Sequence, residues 1–351
     1  MNMVPMDISY VYWFAHYNLA GPCVRYRGKY FLEQLKAGHN IESSFVFPGY
    51  QFLNILHFMD VYFSALLFRR RNSIIVFQKI HTNGIYANAL KFLLFFQRKN
   101  TIYDMDDAYY MKFPPATVHH FLRNSLAVIT GSLELRNYAK KFNKTVFIAS
   151  SPVIHHSQLK GKRSPVLVIG WVGFYNAHRE NLMTVFFPAL LQSDIKIKLV
   201  LLGVTKAVHI QELMEYLKGK DNISLEIPEN IDWLDEESVY KLISGFDIGI
   251  APLLDNAYNR AKSAFKLKQY LSCGIPVLGS NVGENKMVIQ NGMNGFFCDT
   301  PEDYLRMIHF FNQLPEEEYG NYTANAKKSA ALFSMEEYCD HFVKLYKSPN
   351  C

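Results

Sequence analysis

The stretch Lys262–Gly279 reads KSAFKLKQYLSCGIPVLG and carries three lysines before it breaks at Cys273-Gly274. On a helix beginning near Ser263, Lys262, Lys266, Gln269 and Cys273 follow one another at spacings of four, three and four, which puts them on one face. Ala264, Leu267 and Leu271 form a second, apolar face that can pack on a sheet. Arg260 adds charge at the same end, where free backbone N–H groups and the helix dipole already favour an anion. The chemistry this suits is the binding of a diphosphate, with Gln269 one turn further along able to hydrogen-bond hydroxyl groups. A solvated surface stripe is the plain alternative, since charged side chains are mostly exposed.

A second cluster is acidic. Asp104-Met105-Asp106-Asp107 follows a short strand expected at Thr101–Tyr103. Three carboxylates this close repel unless solvent, a cation or hydrogen-bond donors relieve them. They could accept hydrogen bonds from hydroxyl groups or act in acid–base chemistry. An Asp-x-Asp spacing also suits a divalent metal bridging a nucleotide diphosphate, and an Asx-rich turn capping the next helix is the structural alternative. With lysines available to neutralise a diphosphate, no obligatory metal or cofactor is expected. The adjacent pairs His119-His120 and His155-His156 point apart on a helix or strand and are not metal pairs by spacing.

These residues need elements to hold them. Short apolar runs alternate with amphipathic helical patterns, with strands expected at Ile8–Phe14, Ile41–Phe47, Ser73–Phe77, Thr101–Tyr103, Leu126–Thr130 and Thr145–Ile148. The polar, basic stretch Ile154–Pro165 reads as a linker, and the alternation then resumes at Val166–Trp171, Ile197–Leu202, Ile223–Ile227, Phe246–Ala251 and Ile275–Leu278. Strand–helix alternation implies parallel sheets with helices on both faces, here in two similar α/β domains. Ligands of such sheets bind beyond the carboxyl ends of the strands. Residues just after strands are therefore the informative ones: Gly173 and Arg179, Asp255 in the loop before the lysine helix, and Arg25 and Arg27 after the first strand. A closing helix starts at the capping box Ser334-Met-Glu-Glu337 and shows an apolar face of Tyr338, Phe342 and Leu345.

At 351 residues, two domains are expected. The net charge of +6 suits anionic partners such as nucleotides or acidic lipid, and is too dilute to argue for nucleic acid. Five scattered cysteines favour reduced thiols and a cytoplasmic protein. The N-terminus lacks the basic region and cleavage site of a signal peptide, and no apolar run is long enough for a transmembrane helix. Phe52–Arg71 and Leu90–Lys99 are aromatic, amphipathic and basic at one end, which allows peripheral contact with an acidic membrane, at its inner face.

FKLKQYLSCGIPVLGSNVGENKMVIQNGMNGFF resembles the donor-binding segment of GT-B glycosyltransferases, in particular family 4 (group 1). Ile275–Leu278 matches that family's strand, Asn291–Phe296 its turn, and Gly170-Trp-Val-Gly173 the opening of its second domain. The resemblance implies two Rossmann-like domains facing across a cleft. An acceptor-side domain would span 1–155, a linker 156–165, a nucleotide-sugar donor domain 166–333, and a helix crossing back to the first domain 334–351. It implies transfer, with retention, from a UDP- or GDP-sugar to a saccharide or lipid-linked acceptor in surface polysaccharide or glycoconjugate synthesis. Arg179, Lys262 and Lys266 would meet the diphosphate, Gln269 the ribose and Asp106 the transferred sugar, with Arg25 and Arg27 on the acceptor-side loop. The family's two glutamates fall at Ala261 and Gln269, and Glu284 is a candidate to replace the first. That departure keeps two alternatives open: a binding or scaffold protein with a decayed site, and a sugar-nucleotide epimerase of the same fold.

Overall fold

The computed structural model describes residues 8–49 and 51–347, with side chains through Lys344. Residues 1–7 of the N-terminal stretch read against a signal peptide, the side chain of Leu345, and Cys351 lie outside the described residues. The chain divides into two compact units. One comprises Met1–Ile154, Ala261–Ser263 and Phe333–Cys351, and the other His155–Arg260 and Ala264–Leu332.

The first unit is a parallel sheet of six strands: β1 Tyr10–Ala15, β2 Glu42–Val46, β3 Ser73–Gln78, β4 Thr101–Met105, β5 Ala127–Thr130 and β6 Val146–Ile148. Their order across the sheet is β2-β1-β3-β4-β5-β6. β1, β3, β4 and β5 are buried along their whole length, as expected of strands covered by helices on both faces. Trp13, Val76 and Ile102 share one core with Phe31 and Leu35 of the helix Tyr30–His39. Tyr338 and Phe342 of the helix Met335–Lys347 complete it, with Phe31 edge-on to both rings at 5.1 and 4.9 Å.

The second unit repeats the plan with β7 Leu167–Val172, β8 Ile197–Leu202, β9 Ile223–Glu226, β10 Ile248–Ala251, β11 Val277–Gly279 and β12 Gly295–Phe297. The order is β12-β11-β10-β7-β8-β9, again all parallel. Gly170 and Gly249 lie side by side on β7 and β10, and each leaves room for an aromatic ring. A Cβ at Gly170 would overlap Phe246, and one at Gly249 would overlap Tyr270.

Each sheet has one point where the chain reverses its direction of travel across the strands, between β1 and β3 in the first and between β7 and β10 in the second. The loops splay apart there and leave a crevice. The basic stretch expected as a linker counts largely with the second unit. Lys160 is buried in an ion pair with Asp247 at 2.7 Å, and His156 stacks on Tyr240 at 3.9 Å. No helix among the described residues is long and apolar enough to cross a membrane.

Candidate active site

In the second unit the crevice between β7 and β10 is built around Gly173, the first residue after β7. Its φ of 148° favours glycine, and a Cβ there would come within 2.6 Å of Lys266 Cε and displace that side chain. Gly203, after β8, approaches equally closely, since a Cβ on it would lie 2.0 Å from the Gly173 carbonyl oxygen. Lys266 Nζ donates to His178 Nε2 at 3.0 Å and lies 5.6 Å from the centroid of the Trp171 ring. A lysine can only donate, so Nε2 is the unprotonated nitrogen of His178 and the ring proton sits on Nδ1.

The helix that carries Lys266 spans Phe265–Ser272 and is shorter than expected. Ala264 takes the left-handed conformation, φ 54° and ψ 29°, which no continuing helix can accommodate. Lys262 therefore does not share a helix face with Lys266 and Gln269, and it belongs to the short segment that counts with the first unit. The helix is not a solvated stripe either, because Leu267, Lys268, Gln269, Tyr270 and Leu271 are all buried. Tyr270 fixes its position: the hydroxyl accepts from the Val172 N–H at 2.9 Å and donates to the Ile250 carbonyl at 3.3 Å. One side chain thereby ties the lysine helix to the ends of both strands that flank the crevice.

The other side of the crevice is the loop after β10. Asn181 Oδ1 accepts from the Leu254 N–H and from Asn259 Nδ2, both at 2.9 Å, and Ser280 Oγ accepts from the Leu253 N–H at 2.9 Å. Gly283, φ 54°, abuts this loop, for a Cβ on it would meet the Arg260 carbonyl at 2.5 Å, and the next residue, Glu284, is buried. Asp255 pairs with Arg260 at 2.5 Å on the exposed rim. Arg179, expected at the diphosphate, is instead held through Nε and Nη2 on the two carboxylate oxygens of Glu212, in the helix Ala207–Tyr216. The residue before it, His178, is the one that reaches Lys266. Sequence reasoning took Gly173 and Arg179 from that loop without His178, and it passed over Tyr270 and Asn181. Tyr270 looked like an ordinary aromatic in an apolar helix, and only its hydroxyl contacts show otherwise.

In the first unit the corresponding crevice lies between β1 and β3. Lys79 follows β3 in the left-handed conformation, φ 59°. Its ammonium pairs with Asp106 at 2.8 Å and donates to Cys23 Sγ at 3.2 Å, all largely out of solvent. Burial alone would disfavour both charges. Lys79 nevertheless holds the Asp106 carboxyl below its ordinary value, and Asp106 holds the Lys79 ammonium well above its own. His81 stacks on Tyr109 at 4.1 Å, its Nδ1 donates to the Lys79 carbonyl at 2.7 Å, and Tyr17 donates to its Nε2 at 3.0 Å. His16 lies 4.2 Å from His81, and burial, followed by the charges of His81 and Lys79, brings its value down to about 4. Lys79, Asp106, Asp107 and Tyr109 line one recess.

Two expectations for this unit change. Asp104 is fully buried on β4, where Arg27 grips it with two nitrogens, so it acts as a structural anchor and not as a catalytic acid. Arg25 and Arg27 do not sit on an open loop. Both are buried in the helical turn Arg25–Lys29, with Arg25 donating to Leu19 and Ala20 carbonyls and Arg27 to the Ala149 carbonyl at 2.6 Å. Asp107 is half-buried and accepts from the N–H of the next residue, Ala108, at 3.0 Å. Among the described residues no group of three or more His, Cys, Asp or Glu side chains could hold a metal ion.

Residues 166–311 match the group 1 glycosyl transferases. No curated protein matches the chain. Solved structures with a similar fold include Anabaena HepE in complex with UDP, 13% identical with a TM-score of 0.64, covering 95% of this chain and 98% of that one. A glycosyltransferase from Rickettsia africae and the sucrose-phosphate synthase of Thermosynechococcus elongatus each give 13% identity and a TM-score of 0.67, over 97% of this chain and 98% of theirs. These likenesses show that the two-sheet architecture is the GT-B fold.

Proposed function

We infer, from the match of residues 166–311 to the group 1 glycosyl transferases within a GT-B fold, a glycosyltransferase that takes its sugar from a nucleoside diphosphate donor. The observation that carries this reading is the Gly173–Lys266–His178 arrangement at the β7/β10 crevice. A glycine with no side chain lets a phosphate approach the backbone, and a lysine fastened beside it supplies the positive charge. As the bond from the anomeric carbon to the diphosphate breaks, negative charge grows on the leaving oxygens, and Lys266 stabilises it. His178, accepting from Lys266, orients that ammonium. Gln269 and Glu284, both buried close in sequence to these loops, are the candidates for the donor's ribose and sugar hydroxyls, with Gly173 lining the phosphates. Asp255, Arg179 and Lys262 take lesser parts, since Asp255 and Arg179 are engaged in ion pairs and Lys262 stands off the helix.

Asp106 is the proposed catalytic carboxylate of the first unit. Held ionised by Lys79, it is a weak base but a good counter-charge and hydrogen-bond acceptor. That suits steadying positive charge at the anomeric carbon, or holding the acceptor hydroxyl, in a transfer with retention. HepE has been crystallised with UDP and with UDP-glucose, which favours a uridine nucleotide here. The acceptor is a saccharide or lipid-linked saccharide of a surface polysaccharide or glycoconjugate, and the reaction would be carried out on the cytoplasmic side of the membrane.

Thermal melting of the purified chain with UDP and with GDP tests this. UDP should raise the melting temperature of the wild type and fail to do so in Lys266→Ala. Asp106→Asn should keep the UDP shift and lose transfer by about 10²-fold or more. If neither nucleotide shifts the wild type, the donor site is misassigned. A UDP shift without transfer or donor hydrolysis selects the binding-protein alternative suggested by Ala261 and Gln269, and conversion of the donor sugar with no acceptor selects the epimerase.

A further inference from the structure

The helices Phe52–Leu67 and Ile85–Gln97 of the first unit are apolar on both sides. Their inner faces bury Val61, Ala65, Leu90 and Leu94. Their outer faces carry a second stripe at helical spacing: Phe52, Leu56, Met59, Phe63 and Leu67 on the first helix, and Ile85, Phe92 and Phe96 on the second. All eight are exposed, Ile85 at 92%. Half of the large apolar side chains exposed among the described residues lie between Phe52 and Phe96, so this is a patch and not the scatter normal for a protein surface.

The two helices lie side by side and run the same way. Tyr62 donates to the Ala89 carbonyl at 3.0 Å, and Gln97, further along, donates to the Leu66 carbonyl at 3.1 Å. Their carboxyl ends therefore gather Arg69, Arg70 and Arg71 near Arg98 and Lys99. Residues 51–99 hold seven lysines and arginines; Lys79 is buried against Asp106, and the other six stand against one acid, Asp60, a net charge of +5.

We propose that the outer face of these two helices docks on an anionic lipid bilayer. The apolar stripes enter the boundary between headgroups and acyl chains, and the basic ends meet the lipid phosphates. At 16 and 13 residues the helices are too short to span a bilayer, which takes about 20. They lie along the membrane as a surface element. A second copy of this chain fits the face less well, because two such faces would oppose net positive charge with almost no acid to offset it. Combined with the transferase reading, on which this last step rests, docking names the acceptor class: a saccharide carried on a membrane lipid.

Co-sedimentation with vesicles tests the docking using the full chain. Vesicles of phosphatidylcholine with phosphatidylglycerol should pellet the wild type at physiological salt, and phosphatidylcholine alone should not. Arg71→Glu/Arg98→Glu/Lys99→Glu should weaken partitioning on the order of 100-fold. Phe63→Asp/Phe92→Asp should weaken it about tenfold or more. Both variants alter exposed side chains and should keep the wild-type melting temperature and UDP shift. The proposal is overturned if the wild type ignores anionic vesicles, or if both variants partition as the wild type does. It is overturned in favour of self-association if the wild type sediments as a dimer that Phe63→Asp/Phe92→Asp dissolves, with no vesicle binding. A chain that binds vesicles but no nucleotide leaves the docking standing and removes the transferase reading.

Discussion

The buried charges of the first unit show why residue type alone is a poor guide to role. Asp104 and Asp106 are two positions apart on the same strand end, yet they have different partners and different work. Asp104 is sealed in with Arg27, whose guanidinium remains charged because Asp104 more than offsets the cost of burial. Asp106 lies one layer further out, on Lys79. Beside them His16 makes a prediction about acid sensitivity. Its ordinary value of 6.5 falls to about 4 in the fold, so between those values the unfolded chain takes up a proton that the folded chain refuses. Stability is thus fully present above pH 6.5 and declines as the pH falls towards 4. The denaturation midpoint of the wild type should drop between pH 7 and pH 5, and the drop should be smaller in His16→Gln. An equal drop in both would show that His16 has no share in it.

At the scale of elements, the lysine helix was legible in its apolar spacing and in its stop at Gly274, where φ is 76°. Its start was not. Nothing in the residue type announces that Ala264 will adopt a left-handed conformation, because alanine is the residue best suited to continue a helix. The turn is imposed by tertiary packing. Ala264→Gly should accordingly stabilise the protein by about 0.5–1 kcal/mol, the left-handed cost less the entropy of glycine, read as a higher urea midpoint with unchanged slope. A lower midpoint would mean that the Ala264 methyl, which is buried, contributes more by packing than its conformation costs. The strands were read well, since eleven of the twelve follow from short apolar runs. β12, Gly295–Phe297, was read as part of a turn because two glycines and two asparagines in Asn291–Phe296 mask a three-residue strand. The helix Glu316–Ala331 was missed for a related reason: it is polar almost throughout and buries Tyr319, Thr323, Ala326, Ser329 and Ala330 where a hydrophobic stripe was sought.

For the whole molecule, the sequence disclosed the repeated α/β plan and located one of the two crevices through its lysines. Of the other crevice only Asp106 and its acidic neighbours drew attention, because His16, Lys79 and His81 follow two other strands that lie far from Asp106 in the sequence. Only the parallel order of the sheet brings them together. The first unit also draws its core from distant parts of the chain, since Met335, Tyr338, Cys339 and Phe342 fill the same core as Trp13 and Phe31. Deleting residues 333–351 should leave that core open, so the shortened chain should bind an apolar dye and aggregate on mild heating. Its second unit, whose own core lies within 167–319, should keep its UDP shift. A shortened chain as soluble and heat-resistant as the full one would contradict this.

The same arrangement sets a timetable for synthesis. A ribosome adds about 5–20 residues per second, so tens of seconds pass between the emergence of β6 and that of Tyr338. Throughout that interval the nascent first sheet has Phe31 uncovered and must wait, while the second sheet can close on itself soon after its last strand and helices appear. The later half of this protein is therefore expected to mature before the earlier half, and a chaperone that binds the nascent chain would find its target near the beginning of the sequence.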